Sequence, residues 1–217
     1  MSDNPDHVTT GPEPDHHSSS DCGHGHSGGH QSRGPSSFRI HDANRVFDIL
    51  ALHPGERVLD LGCGPGDYTL EAAVRVGDTG TVHALDKTPS MVEGLAAKAA
   101  ARGLANITAA TADFLSGIPL PDQSVDVCLL ATVLHIPWVR QHAATLFTEI
   151  RRVLKPGGRL AVIECQKVDA DWGPPKELRW SPEEVAAVAL AAGFVPRGVT
   201  DLGPTYLILF SVAAARV

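Results

Sequence analysis

The chain has 217 residues, 43% apolar and 20% charged, with a formal net charge of −7. That length holds one full domain plus a tail, and no apolar run approaches the ~20 residues a membrane span needs. The acidic balance speaks against nucleic acid as the main partner, because phosphate binding is driven by clustered Lys and Arg. Arg151, Arg152, Lys155 and Arg159 are expected only to flank a solvated helix end. The polar N-terminus lacks the basic-then-apolar pattern of a signal peptide, so a cytoplasmic protein is expected. Its four cysteines, Cys22, Cys63, Cys128 and Cys165, form no Cys-x-x-Cys pair and are expected to be reduced.

Residues 1–37 are rich in Ser, Gly, Pro, Asp and His and nearly free of apolar side chains. Such a segment buries too little surface to offset its ordering entropy and is expected to be a disordered tail, with the domain over residues 38–217. Within the tail, His16, His17, Cys22, His24, His26 and His30 bring imidazole and thiolate donors close together, a set suited to a divalent transition metal.

From Phe38 the pattern changes. Ala43, Val46, Phe47, Leu50 and Ala51 recur at helical spacing behind a capping Asp42, and His53-Pro54-Gly55 is expected to stop that helix. The short apolar run Val58-Leu59-Asp60-Leu61 then enters Gly62-Cys63-Gly64-Pro65-Gly66, and helix formers follow from Asp67. Strand, glycine loop and helix start together form the nucleotide-binding corner of a doubly wound α/β sheet. A second strand over residues 81–85 closes with Asp86, and Pro89 opens a helix with Met91, Leu95 and Ala99 on one face. Short strands follow over residues 107–110 and 125–130. A helix carrying Leu146, Ile150 and Val153 turns sharply through Leu154-Lys155-Pro156-Gly157-Gly158 into a strand over residues 159–164. Ser181-Pro182-Glu183-Glu184 begins the last helix, and strands over residues 195–201 and 206–212 end the chain.

The glycine corner is selective. A dinucleotide fingerprint wants glycines at 62, 64 and 67, but position 67 is Asp, and Asp60 precedes the loop. Two carboxylates suit a ligand with positive charge rather than a pyrophosphate. At Asp60, Gly62, Gly64 and Gly66 the chain resembles the class I S-adenosylmethionine-dependent methyltransferases, whose first motif is acidic-x-Gly-x-Gly-x-Gly. The segment Arg152-Val153-Leu154-Lys155-Pro156-Gly157-Gly158 is a second point of resemblance.

The resemblance implies a Rossmann-like, seven-stranded, mostly parallel sheet with helices on both faces and an antiparallel last strand. It implies S-adenosylmethionine as cofactor, held by Asp60, Gly62, Cys63, Gly64, Gly66, Asp86, Lys87, Met91, Asp113, Phe114 and Ala131. Asp86 would accept from the ribose hydroxyls, Asp113 from the adenine amine, and Phe114 would donate its N–H to a ring nitrogen. Phe38 and His41 would sit near that site as lid residues.

Methyl transfer from a sulfonium needs alignment and water exclusion more than catalytic side chains. The Asn/Asp-Pro-Pro-Tyr signature of enzymes acting on base or glutamine amines is replaced by Thr132-Val133-Leu134-His135, which points to a small-molecule acceptor. His135 is the candidate base for an oxygen or carbon acid. A His at this point recurs in the branch resembling ubiquinone and menaquinone C-methyltransferases. Trp138, Trp172 and Trp180, with Glu164 and Cys165, fall where an acceptor pocket forms. One alternative is a metal(loid)-thiolate methyltransferase resembling the arsenite enzymes, using Cys63, Cys165 and the His/Cys tail. Two others are a nicotinamide-dependent oxidoreductase and a binding protein that only senses S-adenosylmethionine.

Overall fold

Seven strands form one sheet in the computed structural model, which describes residues 36–213. They are β1 (Arg57–Leu61), β2 (Thr81–Asp86), β3 (Ile107–Thr111), β4 (Val125–Ala131), β5 (Leu154–Cys165), β6 (Phe194–Asp201) and β7 (Thr205–Val212). Their spatial order is β3-β2-β1-β4-β5-β7-β6. The β1–β2, β1–β4, β2–β3 and β4–β5 pairs are parallel, whereas β7 runs antiparallel to both β5 and β6. The expected fold class is therefore found. The strand order reverses between β1 and β4, and ligands of such sheets sit outside the carboxyl ends of the strands at that point.

Helices α1 (Ala43–Leu50), α2 (Asp67–Val76) and α3 (Pro89–Ala101) cover one face, and α5 (Ala143–Val153) and α6 (Pro182–Ala191) cover the other. The period of two sorts each strand between the faces. Val58 packs with Val46, Phe47 and Ala73, while Leu59 and Leu61 pack in the cluster of Phe147, Ile150 and Val185. Capping follows the sequence: Asp42 accepts from the Asn44 amide, and Ser181 with Glu184 completes a capping box.

Three local expectations are revised and one short helix is added. Helix α1 ends at Leu50, capped by Ala51 with a left-handed φ of +45°, two residues before His53. The Lys155-Pro156-Gly157-Gly158 reversal is not a separate turn, because β5 begins at Leu154, paired with Val125, and the kink lies inside the strand. A Cβ on Gly158 would stand 2.9 Å from the Lys155 carbonyl oxygen, so only glycine lets the chain bend there. The short helix α4 (Pro137–Gln141) gave no periodic signal in five residues. Ser37, placed in the tail by composition, is buried in a 3-10 turn against the Tyr68 hydroxyl at 3.1 Å.

The basic cluster is ion-paired rather than merely solvated: Arg152 meets Glu149 and Asp122, Lys155 meets Asp126, and Arg159 meets Glu56. Among the described residues, no helix is long and apolar enough to cross a membrane.

Candidate active site

The loop after β1 is held internally. The Gly62 and Cys63 amides both donate to the Leu85 carbonyl, at 2.8 and 3.1 Å, and the Gly66 amide donates to Cys63. The Gly64 amide donates to Asp86 Oδ2 at 2.9 Å, while Asp86 Oδ1 accepts from the Thr88 amide at 2.8 Å. Pro65 has no N–H, so the loop keeps no free amide to cradle a phosphate. A pyrophosphate lacks its charge balance here, because Asp60 precedes the loop, Asp67 follows it and Asp86 binds its Gly64 amide. That disfavours the nicotinamide alternative on physical grounds.

The three loop glycines differ in purpose. At Gly62 (φ +72°) a Cβ would stand 2.7 Å from Val133, and at Gly66 (φ +84°) it would run into Leu95. Both serve close packing. Gly64 (φ +51°) has nothing within 4 Å of the Cβ position, an open cradle where a ligand can touch backbone.

Asp60 is 2% exposed at the penultimate residue of β1 and accepts from the buried Thr69 hydroxyl at 2.5 Å. Burial raises its pKa from 3.8 to about 6, against the Thr69 bond and with a smaller push from Asp86. A carboxylate so strained for counter-charge fits a cationic ligand. Asp67, at the start of α2, faces Arg39 at 3.9 Å.

At the ends of β2 and β3, Lys87 pairs with Asp113 at 3.7 Å and lies 4.4 Å over the Trp138 ring, which packs on Phe114. Met91 is half-buried on the first turn of α3. Ala131 ends β4, and Thr132 beyond it takes a left-handed φ of +52° while its hydroxyl donates to the Ala131 carbonyl. The proposed ligand-holding residues are thus all brought to one edge of the sheet.

His135 follows the same strand. Its Nδ1 lies 3.3 Å from Glu164 Oε2, and Glu164, fully buried near the end of β5, accepts from the Leu134 amide through Oε1 at 2.7 Å. Of the tryptophans, Trp180 is a scaffold residue rather than an open wall, since it is buried and its indole N–H donates to the Leu134 carbonyl. Trp172 is exposed under the Arg179 guanidinium.

Two features had no signal in the sequence. One is a polar chain in which Thr132 meets Ser37 at 3.4 Å, Ser37 meets Tyr68, Tyr68 meets His41 Nε2 at 2.9 Å, and His41 Nδ1 meets Thr205 at 2.8 Å. It fastens the segment before α1 across the carboxyl edge. The other is Arg179, which is 1% exposed and donates to the carbonyls of Gln166, Val168, Trp172 and Pro174. It holds the β5–α6 loop from inside.

Cys63, Cys128 and Cys165 are free and buried. Burial pushes all three thiols up, Cys165 to about 11, so the thiolate that a metalloid would need is disfavoured. His16, His17, Cys22, His24, His26 and His30 lie outside the described residues. Among the described residues, no group of three or more His, Cys, Asp or Glu side chains is arranged to hold a metal ion.

This strand order, with a glycine loop after β1 and a carboxylate closing β2, is that of a class I S-adenosylmethionine-dependent methyltransferase. A family described as a methyltransferase domain matches residues 52–195, and the chain belongs to it. Among curated relatives it is similar to the ubiquinone/menaquinone biosynthesis C-methyltransferase UbiE of Paraburkholderia phytofirmans, 36% identical over 64% of this chain and 55% of that enzyme. An arsenite methyltransferase of Halobacterium salinarum is 30% identical over 68% of this chain and 36% of that one. The chain thus spans about half the length of the curated UbiE relatives it matches, or less for the arsenite enzyme. Among solved structures, an S-adenosylmethionine-dependent methyltransferase of Aquifex aeolicus superposes with a TM-score of 0.73 at 30% identity, covering 80% of this chain and 91% of that one.

Proposed function

We propose that the protein transfers the methyl group of S-adenosylmethionine to a small-molecule acceptor. The observation that carries this reading is the glycine loop, with its amides spent internally, three carboxylates around it and an open Gly64. S-adenosylmethionine supplies an electrophilic methyl on a sulfonium, and its positive charge matches that surround. Asp86 has lone pairs left beyond its two amide bonds and would accept from the ribose hydroxyls. Asp113 and the Phe114 amide would read the adenine edge, with Lys87, Met91 and Ala131 closing the pocket.

His135 is the proposed base, taking a proton from the acceptor at the carboxyl end of β4. His16, His17, Cys22, His24, His26 and His30 of the N-terminal segment are proposed as ligands for a divalent transition metal. The small-molecule acceptor is supported by the similarity to the ubiquinone/menaquinone enzymes and by the Thr132–His135 sequence at the end of β4.

Calorimetry tests the reading. S-adenosylmethionine and S-adenosylhomocysteine are expected to bind, and a nicotinamide dinucleotide is not. Binding of the dinucleotide alone would overturn it. Mass spectrometry of a ligand carried through purification would then name the acceptor.

A further inference from the structure

We propose that Glu164 is a positioning residue that locks His135 as the Nδ1–H tautomer. Its Nε2 lone pair is thereby reserved for an acceptor with an acidic proton of its own: a phenol, an enol or a carbon acid. This rests on the methyltransferase reading and deepens it.

Glu164 is fully buried, and the one basic side chain within 4 Å of its carboxylate among the described residues is His135. Burying a carboxylate is costly unless its oxygens are bonded, and these two are shared between the Leu134 amide and the His135 ring. A carboxylate can only accept, so the imidazole nitrogen that meets it must carry the proton. Nε2 is then the unprotonated nitrogen. It has no hydrogen-bond partner among the described residues, and the side chain is 22% exposed at the carboxyl edge of β4.

The backbone under the ring is clamped from both sides. The Leu134 amide donates to Glu164 and its carbonyl accepts from the Trp180 indole at 2.9 Å. Trp180 is held in turn, its carbonyl accepting from the Tyr206 hydroxyl at 2.8 Å and its ring lying 4.5 Å under the Arg140 guanidinium. A ring fixed in position and tautomer needs no reorganisation when it accepts a proton.

The step balances. The acceptor X–H bond breaks and its proton goes to Nε2. The freed pair on X forms the bond to the methyl carbon, and the carbon–sulfur pair leaves on sulfur as a neutral thioether. The imidazolium, paired with the Glu164 carboxylate, returns its proton to water. An acceptor without a removable proton gains nothing from this pair.

Glutamine at position 164 can keep the Leu134 bond through its oxygen but turns an amide N–H toward Nδ1. Glu164→Gln is therefore expected to reverse the tautomer, placing the proton on Nε2, while S-adenosylhomocysteine affinity stays unchanged. Long-range nitrogen–proton correlation spectra of the full chain, recorded at rising pH until the His135 signals stop moving, report the tautomer. The His135 signals are those missing from the His135→Ala spectrum. An Nε2–H ring in the wild-type chain overturns the inference even if the variant fails to fold, and so does the same tautomer in both proteins. Absence of S-adenosylhomocysteine binding to the wild-type chain would instead overturn the methyltransferase reading.

Discussion

Asp86 Oδ2 accepts the Gly64 amide at 2.9 Å, so the carboxylate closing β2 and the loop leaving β1 form a single unit. Asp86→Ala removes that bond and the one to Thr88, loosening the loop as well as deleting a ligand contact. S-adenosylhomocysteine affinity is expected to fall by ~1.5–3 kcal/mol, the range for bonds to a charged group. Calorimetry giving the wild-type constant would contradict both roles.

Gly64→Ala and Gly66→Ala separate binding from folding. At Gly66 a side chain meets Leu95 and a φ of +84°, so stability is expected to drop by ~1–3 kcal/mol. At Gly64 the Cβ position is open and φ is +51°, so only the left-handed penalty of ~1–2 kcal/mol is expected. The cofactor should nonetheless bind poorly, because the new methyl stands in the cradle. Paired melting and binding curves check this, and equal losses of affinity per unit of lost stability would refute it.

Burial holds the folded Asp60 carboxyl at about 6 against an ordinary 3.8, so the native state binds more protons than the unfolded chain between those values. The stability associated with protonated Asp60 is complete below pH 3.8 and lost as pH rises through about 6. The gap corresponds to ~3 kcal/mol as an order of magnitude. Asp60→Asn should therefore gain stability relative to wild type at pH ~8 compared with pH ~4, read from urea midpoints. A difference independent of pH would place the charge elsewhere.

Tyr68→Phe breaks the polar chain at its centre and leaves Ser37 and His41 each short of a partner. A cost of ~1–3 kcal/mol is expected, with faster tryptic cleavage after the exposed Arg39. His41 acts in the same direction. Burial lowers its pKa, opposed by Asp42, so the native state binds fewer protons and this contribution fades as pH falls below 6.5. Cleavage that is insensitive to both mutation and pH would show the segment is held by packing alone.

Arg179→Met empties the centre of the β5–α6 loop and orphans four carbonyls. Arg179→Lys is expected to restore little, since one ammonium cannot span the fork that reaches Gln166, Val168, Trp172 and Pro174. Both variants should expose Lys167 and Lys176 to trypsin while S-adenosylhomocysteine binding persists. Rescue by lysine would mean that charge, not fork geometry, holds the loop.

The features legible in the chain lie within short windows. Short apolar runs fold as the central buried strands, and glycines at 62, 64 and 66 take the left-handed turn after β1. The caps at Asp42 and Ser181 start their helices, and Asp86 falls at the right distance beyond the loop. Those are local rules of φ/ψ and periodicity, and they made the sheet class and the glycine corner readable. Five-residue α4 and the strand that starts at Leu154 escaped, because a short helix has no period and a kink within a strand resembles a turn.

Which side chains meet is settled by the packing of the sheet. His41 and Thr205 are bonded across 164 residues, Glu164 and His135 across 29, and Thr132 and Ser37 across 95. Each contact depends on strand order and register, which set neighbours in space without leaving a mark at either position. Arg179 is the sharpest case. Nothing around it in the chain distinguishes it from a solvated arginine, yet its loop folds around the guanidinium, because buried donors must find acceptors and backbone carbonyls were the ones in reach.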